Sequence, residues 1–209
     1  MRNVSCEGQG GRLYFRVPQV GCGFTGGGTQ RDMAEMTSTA VIELLHLFES
    51  AGVEVWLDGG WGVDALLEVQ TRPHKDVDIV VRLSDAPRLC EVLSSRAFSV
   101  RPGGTRSRFV LENLSGLEVD VHAITFDESG NGVYRMQSGI DWIYPAAGFV
   151  GKGSISGVPV RCLSPEAQVL GHAEGYLPTA KDFSDMENLQ SRFGVELPPH
   201  LRRSKCSQN

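Results

Sequence analysis

The chain has 209 residues, 41% hydrophobic and 22% charged, with a formal net charge of −5. That is enough for one sizeable core and too ordered a composition for a disordered or coiled-coil chain. The acidic balance excludes a broad basic surface for nucleic acid, and no apolar run approaches the ~20 residues that span a bilayer. The start carries no secretory-signal pattern, and five scattered cysteines (Cys6, Cys22, Cys90, Cys162, Cys206) form no CxxC pair. These features predict a cytoplasmic protein with no membrane or nucleic-acid partner.

Residues 1–35 hold eight of the 25 glycines and no sustained apolar periodicity, so they read as a flexible extension outside the core. The expected domain is 36–200, with 201–209 a flexible tail. Val41, Ile42, Leu44, Leu45 and Phe48 recur at helical spacing, with Thr37 or Ser38 as cap and Gly52 as stop. A strand follows from Val53 to Asp58, broken at Gly59-Gly60, and a short helix from Trp61 to Glu68. The polar stretch Gln70 to Lys75 leads to a strand, Asp76 to Arg82, and a helix from Ser84 to about Arg96. Strands are predicted at 98–101, 108–113 and 117–126. Residues 127–148, rich in Gly, Asp and Ser, read as a surface loop carrying aromatics. A hairpin is expected from Phe149 to Cys162 around Ser156-Gly157, then two closing helices, the first entered at Ser164-Pro165 and the second stopped by Gly194. The sum is a mixed-sheet α/β or α+β fold.

Three motifs carry chemistry. In Leu57-Asp-Gly-Gly-Trp61 a strand ends in two glycines and a helix begins, which lets the backbone approach a ligand and offers unpaired N–H groups to phosphates. In Asp76-Val-Asp-Ile-Val-Val81 alternation points both carboxylates to one side and the apolar residues into the core. Two adjacent carboxylates repel unless a cation or several donors neutralise them, and Mg²⁺ with phosphate oxygens suits such a pair. In Glu118-Val-Asp-Val-His122 the same alternation groups Asp120 with His122. Should the two strands be neighbours, Asp120 completes a three-carboxylate cluster for two metals about 3.5–4 Å apart, the arrangement for in-line attack at phosphorus.

The ordered combination resembles the DNA-polymerase-β-like nucleotidyltransferase superfamily. Trp56-Leu-Asp-Gly-Gly-Trp-Gly-Val-Asp64 with Thr71-Arg-Pro-His-Lys-Asp-Val-Asp-Ile79 is similar to the small antibiotic nucleotidyltransferases, both lincosamide and, more loosely, aminoglycoside 2″. The resemblance runs from about Thr39 to Leu189. It implies a nucleotidyltransferase fold, with Asp76 and Asp78 ligating two Mg²⁺ ions. It makes Asp120 the third ligand and the base for the acceptor hydroxyl, and Gly59 and Gly60 the cradle of ATP or another nucleoside triphosphate. It also implies a homodimer.

Arg72, His74 and Lys75, just before the Asp strand, are candidate cations for the triphosphate, as is Lys181, against the alternative of a solvated connector. His122, Tyr134 and Trp142 are candidate substrate contacts; a satisfied structural histidine is the competing reading of His122. Asp64 is expected to cap or pair with Arg72, and Asp182 and Asp185 to cap the last helix. The expected reaction moves AMP from ATP to a hydroxyl of a small-molecule antibiotic, a lincosamide before an aminoglycoside, conferring resistance. Modification of a protein hydroxyl in a toxin–antitoxin pair, or nucleotide binding without catalysis, are the alternatives.

Overall fold

Helix α1, Ser38–Ser50, starts where the Thr37 hydroxyl accepts from the Ala40 amide, and buries Val41, Leu44 and Phe48. The computed structural model describes residues 34–173 and 177–202; all but the last two residues of the expected 1–35 extension lie outside that range, as do residues 203–209 of the expected tail. Strand β1, Val55–Asp58, runs directly into helix α2, Gly59–Leu67, because Asp58 stays extended while its carboxylate accepts from the Gly59 amide. β2, Asp76–Arg82, and β5, Glu118–Phe126, flank each other in parallel. Helix α3, Ala86–Ser94, and strands β3, Ser99–Val100, and β4, Arg108–Glu112, lie between them in sequence.

The main sheet has the order β1-β2-β5-β4-β3, mixed but mostly antiparallel. Alternation along β2 and β5 sends Val77, Ile79, Val81, Val119 and Val121 into the core, all at most 1% exposed, beside Leu57, Leu89 and Leu93. The opposite side of the same strands is left to Asp76, Asp78, Asp120 and His122.

Residues 127–148 are not the plain loop expected. They fold into β6, Gly132–Arg135, and β7, Asp141–Tyr144, with β6 extending the sheet from the end of β5. Each strand has only four residues, too few to display a period, and the pairing edge is supplied by Thr125 and Phe126. Gly132 sits where a Cβ would come 2.6 Å from Phe149 and 2.7 Å from Ile124, so its bare backbone lets the hairpin close.

Phe149, expected in a strand, belongs to a 3₁₀ turn, Ala146–Val150. The next hairpin, β8 Lys152–Ile155 with β9 Val158–Arg161, packs on α2 with no room for a Cβ at Gly153, 2.1 Å from the Ala65 carbonyl oxygen. Helix α4, Pro165–Ala173, is entered through Ser164, and α5, Ala180–Phe193, through a capping box between Thr179 and Asp182. Gly194 ends α5 at φ 71°. Order continues past residue 200: Leu201 is fully buried and the Arg202 side chain donates to the Leu197 carbonyl at 2.7 Å.

Candidate active site

Register decides the site. Asp58 on β1 pairs with Asp78 on β2, and Asp78 pairs with Asp120 on β5, so three aspartates stand side by side across adjacent strands. Asp76 lies two residues along the same face of β2, and His122 two residues along β5. The sheet edge thus gathers four carboxylates and an imidazole at the N-terminus of α2.

Asp78 carries the electrostatic load. Burial, together with the charges of Asp76, Asp58 and Asp120 and against the pull of His122, pushes its carboxyl up to about 8. Asp58 moves the other way: burial opposes ionisation, but His122 and the Gly59 amide prevail and hold it below the usual carboxylate range. His122 Nδ1 lies 3.6 Å from Asp58 Oδ2 and its Nε2 3.9 Å from Asp120 Oδ1. Burial would lower the imidazole, yet Asp58, then Asp120 and Asp78, raise it. Arg108 donates to Asp120 Oδ2 at 3.0 Å, which raises the guanidinium further. Asp120 Oδ1 and His122 Nδ1 are buried without a hydrogen-bond partner. Such orphaned atoms mark a place where a ligand, cation or proton belongs.

The glycines sit where bulk is forbidden. Gly59 adopts φ +57° and a Cβ there would lie 2.3 Å from Asp78 Oδ2, so the carboxylate packs on bare backbone. At Gly60 a Cβ would meet the His74 ring at 2.4 Å and Arg72 Nη2 at 2.5 Å. Beyond Gly59, the amides of the first turn of α2 have no intrahelical acceptor, as at any helix N-terminus.

A cleft of about 1000 Å³ opens over this edge. It brings together Gly59, Gly60, Arg72, His74, Asp76, Asp78, Asp120, His122, Tyr134, Trp142 and Lys181 of the sequence-expected residues, and leaves out the exposed Lys75. Tyr134 stacks against His122 with ring centroids 5.4 Å apart, and the Trp142 indole nitrogen is buried without a partner. His74 differs from its expected role as a free cation. It is 3% exposed and spends Nε2 on Asp64 and Nδ1 on Arg72. Asp185 does not cap α5; it accepts from the Arg72 guanidinium, while Asp182 makes the cap. Asp64 caps the Thr71 amide and hydroxyl and pairs with His74 rather than Arg72.

Sequence reasoning missed Asp58 as a member of the acidic row. Its signal was the antiparallel pairing of β1 with β2, which places the last residue of one strand beside Asp78. His172, buried at the end of α4 and lining the cleft, was also missed, because a helix-terminal histidine carries no motif of its own.

The donor set fits a hard divalent cation: several carboxylate oxygens on one face, one of them orphaned and one carboxyl unable to ionise near neutrality without compensation. Among the described residues no three His, Cys, Asp or Glu side chains are already drawn to metal-binding spacing. Arg108 holds Asp120 instead.

The profile of the aminoglycoside-2″-adenylyltransferase family matches residues 40–189. A lincosamide resistance protein of Staphylococcus haemolyticus is 30% identical over 156 residues, 75% of this chain and 96% of that protein. The lincomycin-bound lincosamide antibiotic adenylyltransferase LnuA superposes with a TM-score of 0.67 at 30% identity, covering 76% of this chain and 99% of that one. ANT(2″)-Ia in complex with adenylyl-2″-tobramycin shares the fold, with a TM-score of 0.60 at 20% identity over 74% of this chain and 87% of that one.

Proposed function

The chain belongs to the aminoglycoside-2″-adenylyltransferase family of antibiotic nucleotidyltransferases, and from that premise we propose that it transfers AMP from ATP to a hydroxyl of a lincosamide, with an aminoglycoside as the second acceptor class. The observation that carries this reading is the in-register row Asp58–Asp78–Asp120 above the glycine N-terminus of α2. The two relatives at 30% identity favour the lincosamide.

Asp76, Asp78 and Asp120 would hold Mg²⁺, two ions in this proposal, which would neutralise the triphosphate and the carboxylates together. The remaining work falls to the chain. The first turn of α2 and Arg72 receive phosphate oxygens, and Gly59 and Gly60 let them come close. Asp120, with Oδ2 tied to Arg108, turns its unpartnered Oδ1 to the acceptor hydroxyl and takes its proton. The freed oxygen bonds to the α-phosphorus as the bond to pyrophosphate breaks on the far side, and Arg72 and Lys181 stabilise the departing charge. Tyr134 and Trp142 offer the acceptor flat apolar walls beside His122. A cytoplasmic homodimer completes the proposal, and sedimentation tests the assembly.

The test is to mix the protein with labelled ATP, Mg²⁺ and a panel of lincosamides and aminoglycosides. Pyrophosphate release that depends on a lincosamide is the expected result. Labelling of the protein itself or of a partner chain instead would transfer the reading to a protein acceptor. Nucleotide binding without turnover would reduce it to a non-catalytic module.

A further inference from the structure

A second polar assembly lies behind the glycine turn. Asp64 on α2 is 2% exposed and Asp185 on α5 is 1% exposed, and neither belongs to the carboxylate row. Between them stand His74 and Arg72. His74 Nε2 lies 2.5 Å from Asp64 Oδ2, and Arg72 Nη1 lies 3.1 Å from His74 Nδ1. A guanidinium only donates, so Nδ1 is the acceptor and the ring hydrogen sits on Nε2, pointing at Asp64. Arg72 Nε and Nη2 form a two-pronged contact with Asp185, at 3.3 and 2.8 Å. Trp61 stacks on the His74 ring at 4.8 Å, and Asp64 also accepts from the Thr71 amide and hydroxyl.

This chain of contacts fixes the Arg72 guanidinium on two sides. Of its five hydrogens, two go to Asp185 and one to His74. Another lies against the Pro73 carbonyl at 3.5 Å, and the second Nη2 hydrogen has no acceptor in the assembly. Nη2 is also the atom lying 2.5 Å from where a Gly60 Cβ would be, in the first turn of α2. Two carboxylates outnumber one guanidinium here, so the assembly contributes direction rather than extra positive charge.

We propose that Asp185 and Asp64 are positioning residues for the polyphosphate of the nucleotide: Asp185 directly, and Asp64 through His74, hold Arg72 with a free Nη2 N–H aimed at the phosphate seat on α2. The proposal rests on the nucleotidyl-transfer reading and adds a role for the C-terminal helix α5, which supplies half of the clamp. A guanidinium already held on two sides loses little entropy when the ligand arrives, and a preset fork is worth more than a mobile one.

The experiment measures KM for ATP at saturating antibiotic, and separately the affinity for inorganic tripolyphosphate with Mg²⁺ by calorimetry. The variants are Asp185→Asn, Asp64→Asn, Arg72→Ala and the double variant Asp185→Asn/Arg72→Ala. Asp185→Asn is expected to raise the ATP KM and weaken tripolyphosphate about tenfold, with the antibiotic KM unchanged. In the Arg72→Ala background the same change is expected to add nothing. Arg72→Lys keeps a positive charge beside the buried Asp185 but loses the fork, and is expected to weaken tripolyphosphate as Asp185→Asn does. ATP and tripolyphosphate values within twofold of wild type for both aspartate variants, additive losses in the double variant, or wild-type affinity in Arg72→Lys would each overturn the proposal. Failure to turn over any antibiotic would remove the proposed reaction but leave this reading standing on tripolyphosphate binding. A wild-type protein that binds no tripolyphosphate would overturn it.

Discussion

Replacing Asp78 with Asn should destroy activity and stabilise the metal-free protein. In the fold the Asp78 carboxyl is pushed up to about 8 from the ordinary 3.8. Between those two values the folded chain keeps a proton that the unfolded chain has already released, so stability falls as pH rises. At pH 7 about three of the four units have been crossed, at about 1.4 kcal/mol each, giving roughly 4 kcal/mol of penalty. An amide has nearly the shape of the protonated acid and never ionises. Asp78→Asn should therefore match wild type within about 1 kcal/mol near pH 4 and exceed it by up to roughly 4 kcal/mol at pH 7, on the order of 10 °C in Tm. The assay is urea and thermal unfolding of both proteins in chelator from pH 4 to 8, repeated with excess Mg²⁺. The raised pKa of His122 owes part of its shift to Asp78, so the difference between the two proteins reports Asp78 together with its effect on His122. Mg²⁺ should narrow the gap by stabilising wild type alone. A gap that does not change with pH, or an Asn variant less stable at pH 7, would refute the reasoning.

Asp120→Asn should cut turnover by orders of magnitude while nucleotide and metal binding are partly kept, since it loses the proposed base but retains a neutral oxygen; wild-type turnover would remove Asp120 from the chemistry. Gly60→Ala should raise the ATP KM and lower Tm, because its methyl must displace a His74 ring held by two hydrogen bonds; unchanged kinetics would show that the turn has room. Leu201→Ala should cost about 2–5 kcal/mol in urea melts, as for other fully buried leucines, and a negligible cost would mean that the chain's last buried leucine is dispensable.

The strand alternation of Asp76–Arg82 and Glu118–His122 was plain in the sequence because each strand buries one face and charges the other. Whether those strands touch was not, since pairing of β2 with β5 is decided by what lies between them. Asp58 shows the same gap: its neighbourhood is legible only through an antiparallel pairing with Asp78. The hairpin of β6 and β7 escaped notice because its pairing edge lies outside it, at Thr125 and Phe126. Asp185 looks like part of a helix start from its place in the first turns of α5. Its true partner, Arg72, lies more than a hundred residues away along the chain.

Among the described strands, β2 and β5 form the one parallel ladder. Parallel neighbours cannot be joined by a tight turn, so α3, β3 and β4 must be threaded first. Closure of that long excursion is the slow, entropically expensive kind of contact. Bringing Asp120 beside Asp78 therefore carries the entropic cost of that closure in addition to the repulsion of the acids. A fragment ending before β5 would hold the glycine turn and the Asp-x-Asp pair, yet lack Asp120, the residue proposed to take the acceptor's proton.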